Sequence, residues 1–245
     1  MKRSVATAHA FESRHEGSPR TIAESIYRRI RQDILWVQLP PGSPLRSDEL
    51  RARFGVGISP LREALTRLAS ERLVTAVGQR GFRVAPLTAY DVEDTMKTRL
   101  VIEREALARS IRDGDIAWET AIVAAFHALS RNPIPKEPGT ATETWAMHHR
   151  QFHMALLSAC GSRWHMDLAG LLFDQAERHR MLRAKFGPQK KLKRDTVHEH
   201  KQIFDAALSR DVKAAVRALE RHYETTAEQV AAVLSRLPGP VLKQV

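Results

Sequence analysis

Four histidines in the second half of the sequence lie on stretches with helical periodicity. His149 and His153 are one helical turn apart and in line with Trp145, so both are predicted to face inward. His200 opens a later amphipathic stretch, and His222 lies on the apolar side of the last one. Side chains at i and i+4 can share one cation, and two imidazoles from other helices would complete a site inside a bundle. The sequence therefore predicts a buried metal site, with hydrogen-bonded core histidines as the alternative.

The elements that must position these histidines are helices, because residues 88–236 show no alternating strand pattern. Six helices are predicted at 91–112, 118–129, about 142–160, 163–185, 195–209 and 212–235. A proline-rich loop over 132–139 separates the second helix from the third, and residues 237–240 end the fold. Period-3.6 apolar stripes of this kind indicate an all-α helical bundle domain.

Residues 20–87 have a different organisation, which is typical of a winged helix-turn-helix. The pattern predicts a helix with an isoleucine at every fourth position from Ile22 to Ile34, a second helix capped by Ser47, a third opening at Ser59 and Pro60, and strands at 73–77 and 82–86. The fold class is thus mainly α, an N-terminal winged domain followed by the helical bundle. Residues 1–19 are predicted to be a disordered arm and 237–245 a flexible tail.

The outward side of the third predicted helix carries Arg62, Glu63, Thr66 and Arg67. An arginine in the first turn faces the positive end of the helix dipole, which is mildly unfavourable unless that end docks onto DNA. The turn after it holds Arg80 between two glycines, where the backbone could approach a phosphate or a minor groove. A solvated surface arginine and a plain hairpin turn are the alternatives.

The charge distribution agrees with a polyanionic partner for the first domain. Residues 20–87 contain twelve arginines and six acids, whereas residues 88–245 contain 24 basic and 20 acidic groups. A single cysteine, Cys160, excludes an intrachain disulfide, and no apolar run approaches the ~18–20 residues that span a bilayer. We therefore expect a cytoplasmic protein.

The first domain resembles the GntR family of bacterial transcription regulators, most specifically through the run Pro60-Leu61-Arg62-Glu63-Ala64-Leu65. The resemblance implies DNA contacts at the following positions: Gly57, Ile58, Ser59, Arg62, Arg46 or Asp48, and Gly81. Two departures concern specificity. The family's Ser-Arg-Thr before the third helix is Gly-Ile-Ser here, and its second-helix arginine falls on Asp48. The operator is therefore expected to differ from the family's commonest half-site.

The second domain resembles the FCD type of ligand-binding domain of the FadR branch. The matching residues are Phe152-His153, Glu199-His200 and His222, while the family's first Asp or Asn is replaced by His149. The resemblance implies a four-residue metal site, and four imidazoles suit a borderline metal such as Zn²⁺ or Ni²⁺. It also puts an effector-reaching arginine at Arg99. Arg180 and Arg178 are further candidates because a guanidinium pairs well with a carboxylate.

A further similarity, to a glutarate-responsive subgroup, rests on His-x-x-Phe-His, Cys160-Gly161-Ser162 and Leu172-Phe173-Asp174. It implies a repressor released by a C4–C6 dicarboxylate. We expect a homodimer on a palindromic operator about one DNA turn across. A metal-dependent hydrolase is one alternative, although no inward Glu or Asp stands beside the histidines as an obvious general base. An architectural DNA-binding protein without an effector is the other. The basic run Lys190–Arg194 is expected to stay solvated.

Overall fold

The fold was analysed in a computed structural model, which describes residues 21–78, 81–132, 140–187 and 194–236. Across these ranges the chain forms nine helices and three short strands, so the predicted mainly α class is confirmed. The predicted arm, the predicted tail, residues 133–139 of the predicted loop, Arg80 and residues 190–193 of the basic run lie outside the described residues.

The three helices of the first domain are α1 (Ile22–Leu35), α2 (Ser47–Phe54) and α3 (Ile58–Ser70). Their apolar faces meet in one core that includes Ile30 of α1 and Leu65 of α3, both fully buried. Gly55 ends α2 in the left-handed region at φ 64°, a conformation that favours glycine. The isoleucine repeat and the glycine stop therefore act as the sequence indicated.

Two predicted helix caps are wrong by one or two residues. Arg46, and not Ser47, occupies the N-cap of α2, and Gly57, and not Ser59, occupies that of α3. Neither cap makes a side-chain hydrogen bond. Pro60 still lies in the first turn of α3, where its missing N–H has no helical partner to lose.

Three short strands form the wing as an antiparallel sheet in the order β1-β3-β2. They are β1 (Pro44–Leu45), β2 (Val74–Ala76) and β3 (Phe82–Val84). Leu45 pairs with Phe82, and Val74 pairs with Val84. The sequence predicted β2 and β3 but not β1, because two residues next to a proline turn carry no period.

The second domain consists of six helices, each within a few residues of its predicted bounds. They are α4 (Ala89–Asp113), α5 (Ile116–Arg131), α6 (Thr140–Leu157), α7 (Arg163–Phe186), α8 (Thr196–Leu208) and α9 (Val212–Leu234). α4 starts with a capping box between Thr88 and Asp91. The central core runs from Met96 of α4 to Tyr223 of α9. Within the described residues, no helix has the length and apolarity needed to cross a membrane.

Helix α7 joins the two domains. Arg178 of α7 is buried and donates to the carbonyl oxygens of Ala85 and Pro86, in the connection between the domains. Gln175 donates to the carbonyl of Glu71 at 2.8 Å. The suggestion that Arg178 is an effector-binding arginine is therefore wrong, because its guanidinium bonds to carbonyls of the interdomain connection.

An ion pair and an apolar cluster extend this interface. Arg31 of α1 pairs with Asp174 of α7. Val37 and Leu87 lie in one buried apolar cluster with Leu182 and Val230. Polar and apolar contacts therefore both link the winged domain to α7. A displacement of this helix would therefore be transmitted to the winged domain.

His179 lies on α7 beside Arg178 and is almost completely buried. Its Nδ1 has no hydrogen-bond partner among the described residues. Burial, and secondarily the charge of Arg178, lowers the pKa of His179 from 6.5 to about 3. The folded protein therefore keeps this imidazole neutral at all physiological pH values.

We expect His179 to make the folded protein sensitive to acid. Between pH 6.5 and 3 the unfolded chain binds a proton here that the folded chain does not, so the free energy of unfolding falls as pH falls. His179→Gln should lower that slope by up to about 1.4 kcal/mol per pH unit. Urea unfolding of the metal-free protein at several pH values measures the slope. His127→Gln, which alters an exposed histidine of α5, should leave it unchanged, and an equal effect of both changes would contradict the assignment.

Candidate functional site

The four predicted histidines meet in the interior of the second domain. His149 and His153 project from α6, His200 from α8 and His222 from α9, and one ligand atom from each lies within 4.8 Å of the others. All four side chains are buried. The bundle therefore brings together residues that are up to 73 positions apart in the sequence.

The ε nitrogens of the two α6 histidines face each other. Nε2 of His149 lies 3.1 Å from Nε2 of His153. Nε2 of His200 is buried without a hydrogen-bond partner in the described part of the chain. A buried polar nitrogen without a partner is costly, and a cation bound there would remove that cost. The donor set therefore fits a metal such as Zn²⁺, which imidazole nitrogens bind well.

The protonation state of the cluster also suits metal binding. Burial lowers the pKa of His149, His153 and His200 well below the usual value, and the neighbouring positive groups lower it further. Burial also lowers the pKa of His222, although its hydrogen bond to Glu199 opposes the shift. All four imidazoles are therefore neutral near pH 7, which is the form that ligates metals.

Three buried or half-buried carboxylates surround the histidines. Each is held by an arginine, in the pairs Arg99–Glu103, Arg180–Glu177 and Arg194–Glu199. The sequence did not predict these pairs, because a glutamate on a helix that carries charges of both signs is usually exposed to solvent. Since every one of these carboxylates is occupied by a guanidinium, none stands free as a general base.

A cavity lies over the histidines. Besides the histidines, its lining includes Arg99, Trp145, Phe173, Arg180, Arg194 and Tyr223. The combination of aromatic walls with a few convergent charged groups is typical of a small-molecule site.

Both arginines predicted to bind the effector line this cavity and are buried. Arg99 donates through Nε to Glu103 at 2.7 Å and through Nη2 to the hydroxyl of Tyr223 at 2.6 Å. Arg180 donates through Nε to Glu177 at 3.0 Å and stacks on Trp145 at 4.0 Å. Within the described residues, Nη1 of Arg99 and Nη1 of Arg180 have no hydrogen-bond partner, so each retains donors for a ligand.

Arg194 is a pocket residue that the sequence analysis missed. It belongs to the basic run that was expected to stay solvated, yet its side chain is only 8 % exposed. Its guanidinium donates to Glu199 through Nε at 2.7 Å and through Nη2 at 2.6 Å. The acidic residue of the Glu199-His200 pair, five positions later, could have indicated a partner for Arg194. The lysines before Arg194 instead indicated a solvated basic run.

The predicted DNA-contacting residues divide into free and engaged groups. Gly57, Ile58, Ser59, Arg62 and Thr66 are exposed along the first half of α3. In the part of the chain that the structure describes, Arg62 makes no ion pair. The opening of α3 is therefore available to enter a DNA groove.

The other predicted contacts are more constrained. Arg67 lies 3.7 Å above the ring of Tyr27 and donates to Glu24 at 2.5 Å, so it also ties α3 to α1. Arg46 is exposed and pairs with Glu49 at 3.0 Å. Gly81 adopts φ 92° at the start of β3, a value that favours glycine.

A winged helix-turn-helix joined to a helical domain with an internal pocket defines a class of DNA-binding transcription regulators. Comparison with known sequences assigns the family. The pattern of the bacterial regulatory proteins of the gntR family matches residues 22–84, and that of the FCD domain matches residues 94–225. The chain belongs to the GntR family and carries an FCD domain. It is a transcription regulator and not an enzyme.

Relatives cover most of the chain. BphR of Paraburkholderia xenovorans (strain LB400), an uncharacterized HTH-type transcriptional regulator, is 35 % identical over 209 residues, 84 % of either protein. GlaR of Escherichia coli (strain K12), an HTH-type transcriptional repressor, is 32 % identical over 81 % of this chain and 91 % of its own length. Among solved structures, E. coli McbR/YncC superposes with a TM-score of 0.70 at 16 % identity, covering 86 % of this chain and 98 % of its own. The last comparison shows the shared fold.

Proposed function

We propose that this regulator is a repressor that binds a palindromic operator as a homodimer and releases it when a small carboxylate binds beside a histidine-held metal. The observation that carries the proposal is the convergence of four buried, neutral imidazoles beneath an arginine-lined cavity. The repressor role is supported by the 32 % identical relative GlaR, which is named a repressor.

The metal would be held by His149, His153, His200 and His222. Four imidazole nitrogens favour a borderline divalent ion, and Zn²⁺ or Ni²⁺ fits best. Because His149 stands where the family has Asp or Asn, all four protein ligands are neutral imidazoles and add no negative charge. A bound cation would therefore keep its full charge and supply an electrostatic anchor for an anion.

The effector is proposed to be a C4–C6 dicarboxylate. Arg99 and Arg180 are buried at the cavity and each has an unused Nη1, which could donate to a carboxylate oxygen. The chain length is suggested by the resemblance to the glutarate-responsive subgroup.

Signal transfer is proposed to pass through α7. Glu177 and Arg180 of this helix line the cavity, while Gln175 and Arg178 donate to backbone carbonyls of the winged domain and its connection. An effector that pulls on Arg180 would displace a helix fixed to the DNA-binding half. Operator affinity changes only if the effector favours one arrangement of the two halves over another.

The dimer surface is proposed to include the start of α7. Trp164 is 77 % exposed and Leu168 follows one turn later, also exposed. Leu171 and Leu172, half-buried, continue the stripe. An apolar stripe on the outer side of a helix whose other side is packed is typical of an interface. A second copy of the chain is the partner that a palindromic operator requires.

We expect Arg62→Ala to weaken specific DNA binding about 5- to 150-fold, because a base or phosphate contact in the groove is worth ~1–3 kcal/mol. The duplex would be selected from a random library with the wild-type protein, and binding measured by fluorescence anisotropy at fixed salt. Arg221→Ala, which removes an exposed arginine from α9, should bind like wild type. An equal loss of DNA affinity in both variants would show that the loss of a positive charge, and not a contact of Arg62, weakens binding. Unchanged affinity in both variants would show that Arg62 does not contact DNA.

The effector proposal predicts that one C4–C6 dicarboxylate stabilises the Zn²⁺-loaded protein by ~2.7 kcal/mol at a hundred times its Kd. Thermal melts across C3–C7 mono- and dicarboxylates measure this stabilisation. The same acid should release the selected duplex, and a chelator should abolish both effects. Arg180→Gln should lose the stabilisation, whereas Arg163→Gln, at the exposed start of α7, should keep it.

Two results would change this reading in different ways. Stabilisation that survives chelation would assign the anion to the arginines alone and make the histidines structural. If no acid stabilises the protein, the alternative of a DNA-binding protein without an effector gains support.

Glutamates at the apolar stripe should separate the dimer. Trp164→Glu together with Leu168→Glu would bury like charges against each other in a two-fold interface, so light scattering should report about the 27.7 kDa of one chain instead of twice that mass. Ile116→Glu, at an isolated and 81 % exposed position of α5, is the control and should stay dimeric. A dimer that survives the double change would place the interface elsewhere.

A further inference from the structure

We propose that Glu199, held by Arg194, is a positioning residue that orients His222 so that its Nε2 faces the metal. The inference rests on the proposed metal site and deepens it. It concerns the residues behind the ligands, which determine how firmly a metal is bound.

The geometry around Glu199 is specific. The carboxylate oxygen Oε2 lies 2.7 Å from Nδ1 of His222. The same oxygen accepts from Nη2 of Arg194 at 2.6 Å, and Oε1 accepts from Nε of Arg194 at 2.7 Å. The guanidinium thus grips the carboxylate through two parallel hydrogen bonds, which fixes the orientation of the acceptor.

This arrangement selects one tautomer of His222. A carboxylate can only accept, so the hydrogen must be on Nδ1 and the lone pair on Nε2. Arg194 Nη2 also lies 3.3 Å from Nδ1, but two donors cannot bond to each other, and the shorter contact to the carboxylate decides the assignment. Such carboxylate–histidine pairs raise the basicity of a metal ligand and fix its ring.

All three guanidinium nitrogens of Arg194 already have hydrogen-bond acceptors in the protein. Besides Glu199, it donates to the carbonyl of His222 and the hydroxyl of Thr226, both at 3.0 Å, and to Gln229 at 3.3 Å. The unused Nη1 groups of Arg99 and Arg180 have no counterpart here. Arg194 is therefore assigned to holding the site together, and the other two arginines to the effector.

The other histidines have weaker outer partners. Nδ1 of His153 reaches the hydroxyl of Tyr223 at 3.3 Å, and that hydroxyl donates to Glu103 at 2.5 Å. Nδ1 of His149 is 3.8 Å from Glu177 and has no hydrogen bond in the described residues. His222 thus has the shortest and most direct contact, which makes Glu199 the residue to test.

The test is metal affinity by competition with a chromophoric chelator, using Zn²⁺ and Ni²⁺. Glu199→Gln keeps the size of the side chain and removes its charge, so we expect a loss of affinity of about 10- to 100-fold. Glu228→Gln makes the same change at an exposed position of α9 and should bind like wild type. Circular dichroism would establish that both variants fold. A Glu199→Gln affinity within twofold of wild type would overturn the positioning role.

A second measurement needs no variant of Glu199. Long-range ¹H–¹⁵N spectra of the Zn²⁺-loaded wild type, labelled on its 11 histidines, report which nitrogen of each ring carries hydrogen and which binds metal. His222, identified by its absence from the His222→Gln spectrum, should show Nδ1–H and metal on Nε2. Metal on Nδ1 would refute the proposal. If the wild type binds neither Zn²⁺ nor Ni²⁺, the proposed metal site itself is refuted. If the wild type binds metal and Glu199→Gln binds it equally well, only the positioning role of Glu199 is refuted.

Discussion

The pairing of buried charges is the constraint on which the interior of the helical domain depends. Arg99 is 4 % exposed and Glu103 1 %, and Arg180 pairs with Glu177 at similar depth. Replacing such a pair with apolar residues is often neutral or favourable, whereas removing one partner leaves an uncompensated charge at a cost of ~3–5 kcal/mol. Stability alone therefore does not account for these pairs. These ion pairs surround the four imidazoles, so they provide the polar surroundings of this site within an otherwise apolar bundle.

Helix α7 connects that polar interior to the winged domain. Successive residues of this helix serve opposite ends of the molecule, since Glu177 borders the cavity and Arg178 holds carbonyls next to the winged domain. Burial lowers the pKa of Arg178 to about 10, which shows how strongly its environment disfavours the charge. A buried guanidinium bonded to carbonyls is a sensitive contact, because a small displacement of the helix weakens both hydrogen bonds.

The sequence predicted what repeats and missed what depends on a single contact. Apolar periodicity located every helix of the second domain, and the His149 and His153 spacing showed that their side chains share one face. The apolar side of the last helix indicated His222, and the family resemblance supported the joining of His200 and His222 to that face. No periodicity could reveal the Arg99–Tyr223 contact across 124 positions, or that Arg194 would leave its lysine-rich surroundings and turn inward. Strand β1 was missed for the opposite reason, because two residues are too few to establish a period.

The same contacts bear on the carboxylate that is proposed to bind in the cavity. Four arginines line the cavity: Arg99, Arg180, Arg183 and Arg194. Three of them pair with a glutamate, which leaves one positive charge in excess. Burial together with the charges of Arg180 and Arg194 lowers the pKa of Arg183 to about 10, so the local surplus of positive charge is already felt without a metal. A divalent cation on neutral imidazoles would raise that surplus from one charge to three. A dianion would return it to one, and a monocarboxylate would leave two. In a low-dielectric interior, where like charges repel strongly, this difference favours a dicarboxylate over a monocarboxylate of the same length.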